Sequence, residues 1–174
     1  MRKIFLVGYM GSGKTTIGRR LAEKMNMHFV DLDLFIENRY RKNVRDIFTE
    51  KGEASFREIE NNALKEVACF ENVLVSTGGG TPCFFNNMEF MNSVGTTIYL
   101  KVSEEELANR LNLAKQNRPL IQNKTKEELM VYIHDSLIQR ESFYNQSSIT
   151  IGSCHLDTVQ DVDSIVEELS IYLK

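Results

Sequence analysis

Short apolar runs alternate along this chain with longer stretches in which apolar residues recur every three or four positions. The runs at 4–7, 28–32, 73–75 and 97–100, with a last one near Ile149, are rich in β-branched and aromatic residues and read as strands. Between them the period changes. Ile17, Leu21 and Met25 share one face of a helix over 14–25. Phe56, Ile59, Ala63 and Val67 mark the long part of a helical region over 34–70, broken near Lys51-Gly52. Phe85, Met88 and Met91 predict a helix before the fourth strand, and their side chains read as core; Leu107, Leu111 and Ala114 predict one after it. A helix over about 125–143 and a last one carrying Val162, Ile165, Val166 and Leu169 complete the series. Strands alternating with helices imply an α/β fold on a parallel sheet. Between Lys115 and Lys126 the pattern lapses into polar residues, Arg and Pro, which reads as a surface loop inside one domain spanning 1–174.

Composition narrows the classes. With 174 residues and 42% hydrophobic positions, a chain of this size buries roughly 70% of its unfolded surface and needs no disulfide or structural metal. Lys and Arg number 21 against 24 Asp and Glu, a net charge of −3, so the basic footprint of a nucleic-acid binder is missing. Cys69, Cys83 and Cys154 form no paired spacing and read as reduced thiols in a cytoplasmic protein. His28, His134 and His155 have no metal spacing. No run approaches the ~18 apolar residues of a membrane span.

The strongest chemical signal is Gly8-Tyr9-Met10-Gly11-Ser12-Gly13-Lys14-Thr15, which fits G-x-x-x-x-G-K-[ST] between a strand and a helix. Its glycines let backbone N–H groups cradle phosphates, Lys14 adds a point charge, and the Thr15 hydroxyl suits Mg²⁺. Asn123-Lys124-Thr125-Lys126 lacks the Asp of a guanine-reading motif, and the third strand ends in Ser-Thr-Gly-Gly-Gly rather than in the Asp of a motor ATPase. Asp31 and Asp33 end the second strand, at the sheet edge where open α/β folds bind ligands. One can serve Mg²⁺ through water while the other meets an acceptor hydroxyl; alternatively, Asp33 caps a helix starting at Leu34. The run Thr77-Gly78-Gly79-Gly80-Thr81-Pro82 is either a tight turn or a backbone platform for a ligand. Arg57, with Glu53 and Glu60 at helical spacing, is either a solvated ion pair worth ~0.5 kcal/mol or a guanidinium that Glu60 aims at an anionic substrate. Arg118 in the polar loop and Arg140 near a helix end are open to structural and functional readings alike. Cys83 reads as packing.

Taken together, the loop Gly8–Thr15, Asp31-x-Asp33, Phe56-Arg57-Glu58-Ile59-Glu60, the triple glycine, Arg118-Pro119-Leu120 and Arg140-x-x-x-Tyr144 resemble the shikimate kinases in order and spacing over nearly the whole chain. The resemblance implies a three-layer P-loop kinase fold with a five-stranded parallel sheet in the order 2-3-1-4-5, a substrate-binding helical region at about 33–62 and a lid at about 112–125. It implies transfer of phosphate from ATP, with Mg²⁺, to the 3-hydroxyl of shikimate on the route to the aromatic amino acids, by a monomer. On this resemblance Gly11, Ser12, Gly13, Lys14, Thr15 and Thr16 hold the ATP phosphates, Thr15 ligates Mg²⁺ and Asp31 stands in its outer shell. Asp33 meets the shikimate hydroxyls, and Asp33, Lys14 and Arg118 carry the catalysis. Arg57 and Arg140 clasp the carboxylate, while Gly78, Gly79 and Gly80 pack on the ring. Arg110 stands near the adenine, and Arg118 reaches the phosphates from the lid. The segment 152–157 does not align with the family's adenine-binding loop. Gluconate-type or nucleoside monophosphate kinases, and a non-catalytic ATP-binding module, are the rival readings.

Overall fold

The five apolar runs pair in parallel, in the order implied by the resemblance. β1 (Lys3–Val7) takes the centre, flanked by β3 (Val73–Ser76) and β4 (Thr96–Lys101); β2 (His28–Asp31) lies outside β3 and β5 (Ile149–Gly152) outside β4. This architecture comes from a computed structural model that describes residues 2–113, 124–152, 156 and 158–173.

Alternation along β1 separates two cores. Ile4 and Leu6 face one side with Leu74, Ile98 and Leu100, and there α1 (Lys14–Lys24) and α7 (Val159–Tyr172) bring Ile17, Leu21, Val162 and Val166 against them. Phe5 and Val7 face the other side with Val73, Val75 and Tyr99, under Leu64 and Val67 of α3 (Val44–Val67), Met91 of α4 (Asn87–Val94), Leu107 of α5 (Glu104–Leu113) and Ile133 of α6 (Lys126–Tyr144). Two helix layers enclosing a sheet buried on both faces account for strands that read as continuous apolar runs. Leu6 is fully buried, so its truncation to Ala should cost about 2–5 kcal/mol.

Two sequence expectations are adjusted and a third holds. The second strand ends at Asp31, and α2 (Leu32–Tyr40) begins at once, because the pairing of β2 with β3 stops at Asp31 opposite Ser76. Phe85 is not on a helix and not in the core: it is 55% exposed at a φ of 51°, between a 3₁₀ turn at Thr81–Cys83 and α4. The break expected near Lys51-Gly52 is present: Gly52, at φ 77° and ψ 169°, is non-helical and divides α3 into two helical parts. Ala114 lies outside the described residues. Among the described residues no helix is long and apolar enough to cross a membrane.

Candidate active site

The loop from Gly8 to Gly13 turns the chain from the centre of the sheet into α1. Gly8, Gly11 and Gly13 all have positive φ, and a side chain on Gly8 would stand 2.8 Å from the Leu100 carbonyl oxygen, so two of the loop's demands fall on glycine at once. The amino end of α1 has no side-chain cap and no acid in its first turn, which leaves its N–H groups and the positive end of its dipole for an anion. Lys14 is buried; its ammonium donates to the carbonyls of Gly8 and Tyr9 at 2.8 Å and to Ser12 Oγ at 3.3 Å. The lysine thereby draws the loop around the cradle.

At the end of β2 the two acids divide their work. Asp31, not Asp33, caps α2: its Oδ1 accepts from the Leu34 N–H at 3.3 Å, while Oδ2 accepts from the Thr15 hydroxyl at 2.9 Å. Asp33 is set in the first turn and half-buried. Burial pushes its carboxyl up to about 6, with Glu60 and Asp31 adding repulsion and Lys14 pulling the other way. A carboxyl held there is tuned for taking a proton near neutral pH.

The glycine turn lies beside these acids. A side chain on Gly78 would meet Glu60 Oε1 at 2.8 Å and Asp33 Oδ1 at 3.2 Å. One on Gly80 would meet both terminal nitrogens of Arg57 at 2.7 Å. Glu60, only 1% exposed, accepts from Arg57 Nη1 at 2.9 Å and from the Thr81 hydroxyl at 2.6 Å. The solvated-pair reading of Arg57 therefore fails: its guanidinium is largely enclosed, 4.3 Å over the Phe84 ring, and its Nε is buried with no hydrogen-bond partner among the described residues. Glu53 is an exposed second partner at 3.3 Å. Arg140 approaches from α6, beside Gly79 and 5.6 Å over the Tyr9 ring, away from the helix end where a dipole contact would put it. Cys83 stands near both arginines, but burial pushes its thiol up to about 11, in keeping with a packing role.

A cleft of about 400 Å³ is lined by Met10, Gly11 and Gly13 to Thr16 of the P-loop, by Asp31 and Asp33, by Ser76 to Gly79, by Arg110 and by Leu156; Arg57 and Arg140 are not part of that lining and stand beside Gly80 and Gly79. Arg110 donates through Nη1 to the Gly11 carbonyl at 3.2 Å and through Nε to Glu106 at 2.7 Å. The structure thus brings together Gly11 to Thr16, Asp31, Asp33, Arg57, Gly78 to Gly80, Arg110 and Arg140. Arg118 and most of the lid region, with Cys154 and His155, lie outside the described residues.

Several contributors escape sequence reasoning. The Phe84 platform under Arg57 and Leu156 against Gly13 carry no motif; Thr81 had only its place beside the glycines to mark it.

The model of the family described as "Shikimate kinase" matches residues 10–170. The chain belongs to the shikimate kinase family. It is 56% identical over 169 residues to the shikimate kinase of Parabacteroides distasonis, covering 97% of this chain and 98% of that one. The crystal structure of the shikimate kinase from Bacteroides thetaiotaomicron superposes with a TM-score of 0.96 at 49% identity, over 99% of this chain and 98% of that one. The shikimate kinase from Acinetobacter baumannii, solved in complex with shikimate, gives 0.85 at 32% identity over 99% and 93%. Membership of the shikimate kinase family makes this chain an ATP-dependent kinase, as the motifs implied.

Proposed function

We propose that the chain transfers the γ-phosphoryl group of ATP to the 3-hydroxyl of shikimate, and that the residues gathered in the cleft perform it. The observation that carries this reading is a continuous line of groups: Thr15 bonded to Asp31, Asp33 and Glu60 beside Gly78, Glu60 bonded to Arg57, and Arg140 beside Gly79. Phosphate chemistry occupies one end of that line and two guanidinium groups the other. A small carboxylated polyol fits between them, its carboxylate on Arg57 and Arg140 and a ring hydroxyl at Asp33.

In the reaction the bond from the γ-phosphorus to the β,γ-bridging oxygen breaks, and a new bond forms to the substrate oxygen. Asp33 accepts the hydroxyl proton as that bond forms. Lys14, shifting from the loop carbonyls to the outer phosphates, offsets charge there, and the backbone N–H groups of Gly11, Gly13 and the first turn of α1 orient the triphosphate. The Thr15 hydroxyl and Asp31 carboxylate form an oxygen pair that suits Mg²⁺, a cation that takes few protein ligands and keeps phosphate and water for the rest. When bound, Mg²⁺ supplies charge neutralisation at the β- and γ-phosphates. Arg110 contributes at the nucleotide end and Arg118 over the phosphates. The single domain 1–174, with its substrate helices at about 33–62 and lid at about 112–125, acts as a cytoplasmic monomer.

ADP release measured in parallel with shikimate, gluconate and AMP tests the reading. Mg²⁺-dependent turnover on shikimate alone is expected. Equal turnover on gluconate or AMP would overturn the substrate, and ATP binding with no transfer to any acceptor would favour a binding module.

A further inference from the structure

We infer that the Tyr144 hydroxyl is a positioning group for the shikimate site, acting on Gly79 and Arg140 together. This rests on the reading of the cleft given above. Tyr144 ends α6 and is completely buried, its ring packed 5.1 Å from that of Tyr99 on β4. Its hydroxyl donates to the Gly79 carbonyl at 2.5 Å, across 65 positions of sequence. A trans peptide sets each carbonyl opposite the N–H that follows it, and no peptide of the described chain is cis. Holding the Gly79 carbonyl toward α6 therefore turns the Gly80 N–H away from it.

The other groups of the turn are already used internally. Thr81 N–H bonds to the Gly78 carbonyl, Cys83 N–H to that of Gly80, and Asn87 Nδ2 to that of Thr81. The Gly79 and Gly80 N–H groups donate to no acceptor among the described residues. Among the described residues, the hydrogen bond that ties Gly79, the middle of the platform, to the helical layer is the one from Tyr144.

Arg140 precedes Tyr144 by one helical turn, so the two share a face of α6. The guanidinium lies close enough for its charge to act on the phenol, and Tyr9 of the phosphate loop closes its far side. One buried hydroxyl is thus in touch with both the ring platform and a carboxylate anchor. Removing it frees the Gly79 peptide to rotate and gives the guanidinium a different neighbour, while the P-loop contacts of Lys14 and Thr15 involve neither group.

The test is Tyr144→Phe in the full chain, which keeps the ring and its packing and deletes only the hydroxyl. ADP release is followed with shikimate and ATP varied in turn. The KM for shikimate is expected to rise about three- to thirtyfold, with the KM for ATP within twofold of the parent. Combined with Arg140→Ala, the loss in kcat/KM for shikimate should be smaller than the product of the two single losses. An unchanged KM for shikimate in an active protein overturns the inference alone, as does a parallel rise in both KM values, which marks a packing residue. Independent losses that multiply would overturn the coupling to Arg140. A parent protein with no shikimate-dependent ADP release overturns the underlying reading of the cleft, and this inference with it.

Discussion

Replacing Asp33 by Asn should stabilise the protein at alkaline pH and at the same time remove most of its activity. The carboxyl is raised from an ordinary 3.8 to about 6 by burial and by its acidic neighbours Glu60 and Asp31. Folding therefore works against the ionised form. Below about pH 4 both folded and unfolded chains hold the proton and the carboxyl costs nothing; as pH rises through 6 the folded chain must give it up, and stability is lost. A difference of that size corresponds to about 3 kcal/mol if fully expressed, and the half-buried position reduces this to about 1–2 kcal/mol. Asn keeps the shape and carries no charge. In a domain of this size about 1–2 kcal/mol moves the unfolding midpoint by roughly 2–8 °C. Thermal unfolding of both proteins at pH 8 and pH 4.5 should show Asp33→Asn melting higher by that margin at pH 8 and by only about a third of it at pH 4.5. In the same preparations kcat should fall by about 10² to 10⁴ if the carboxylate accepts the proton. A variant that melts no higher than the parent at pH 8, or that retains a tenth of its kcat, refutes the idea of a strained base.

The parent enzyme's kcat/KM for shikimate should decline below a pH of about 6 with unit slope, since Asp33 must be ionised in the free enzyme; a flat profile from pH 5 to 8 assigns the proton elsewhere. Lys14→Ala should leave the far-UV spectrum unchanged and abolish turnover, and a preserved kcat would reduce its three loop contacts to a structural role. Arg57→Ala should raise the KM for shikimate about ten- to hundredfold by removing a charge-assisted contact while sparing ATP; shikimate methyl ester losing just as much would show that Arg57 does not read the carboxylate. Gly80 has an ordinary φ of −91°, so Gly80→Ala acts only through the methyl group 2.7 Å from the Arg57 nitrogens. Displacement costing about 1–3 kcal/mol should appear in the KM for shikimate, and an unaltered KM would mean that Arg57 yields freely.

Sequence legibility followed the physics of each feature. The P-loop could be read because its glycines answer to backbone conformation and its Lys14 to charge, both properties of residue type. The sheet order could not be derived from the runs themselves, since the short apolar runs of the inner strands β1, β3 and β4 and of the less buried edge strands β2 and β5 carry no mark of which neighbour each pairs with; it came with the resemblance. The alternative of a cap at Asp33 falls two residues too late because nothing in Asp31-Leu32-Asp33 fixes where pairing with β3 stops. The depth of the Arg57–Glu60 pair was also hidden. A three-residue spacing looks the same on a solvated face as under Thr81 and Phe84, and only tertiary packing tells the two apart. Phe85 misled through its apolarity, since its backbone turns it outward ahead of α4.

The central place of β1 has a consequence for how activity is acquired. Its neighbours on either side, β3 and β4, arrive from far along the chain, with Lys3 opposite Val73 and Ile4 opposite Thr96. Loop-closure entropy is spent on both pairings before either stabilises the chain. The phosphate cradle at the end of β1 and the glycine platform at the end of β3 therefore exist side by side only once the sheet has closed around β1. On refolding from denaturant, nucleotide binding should return together with the global fluorescence or circular-dichroism change, rather than with any early local helix.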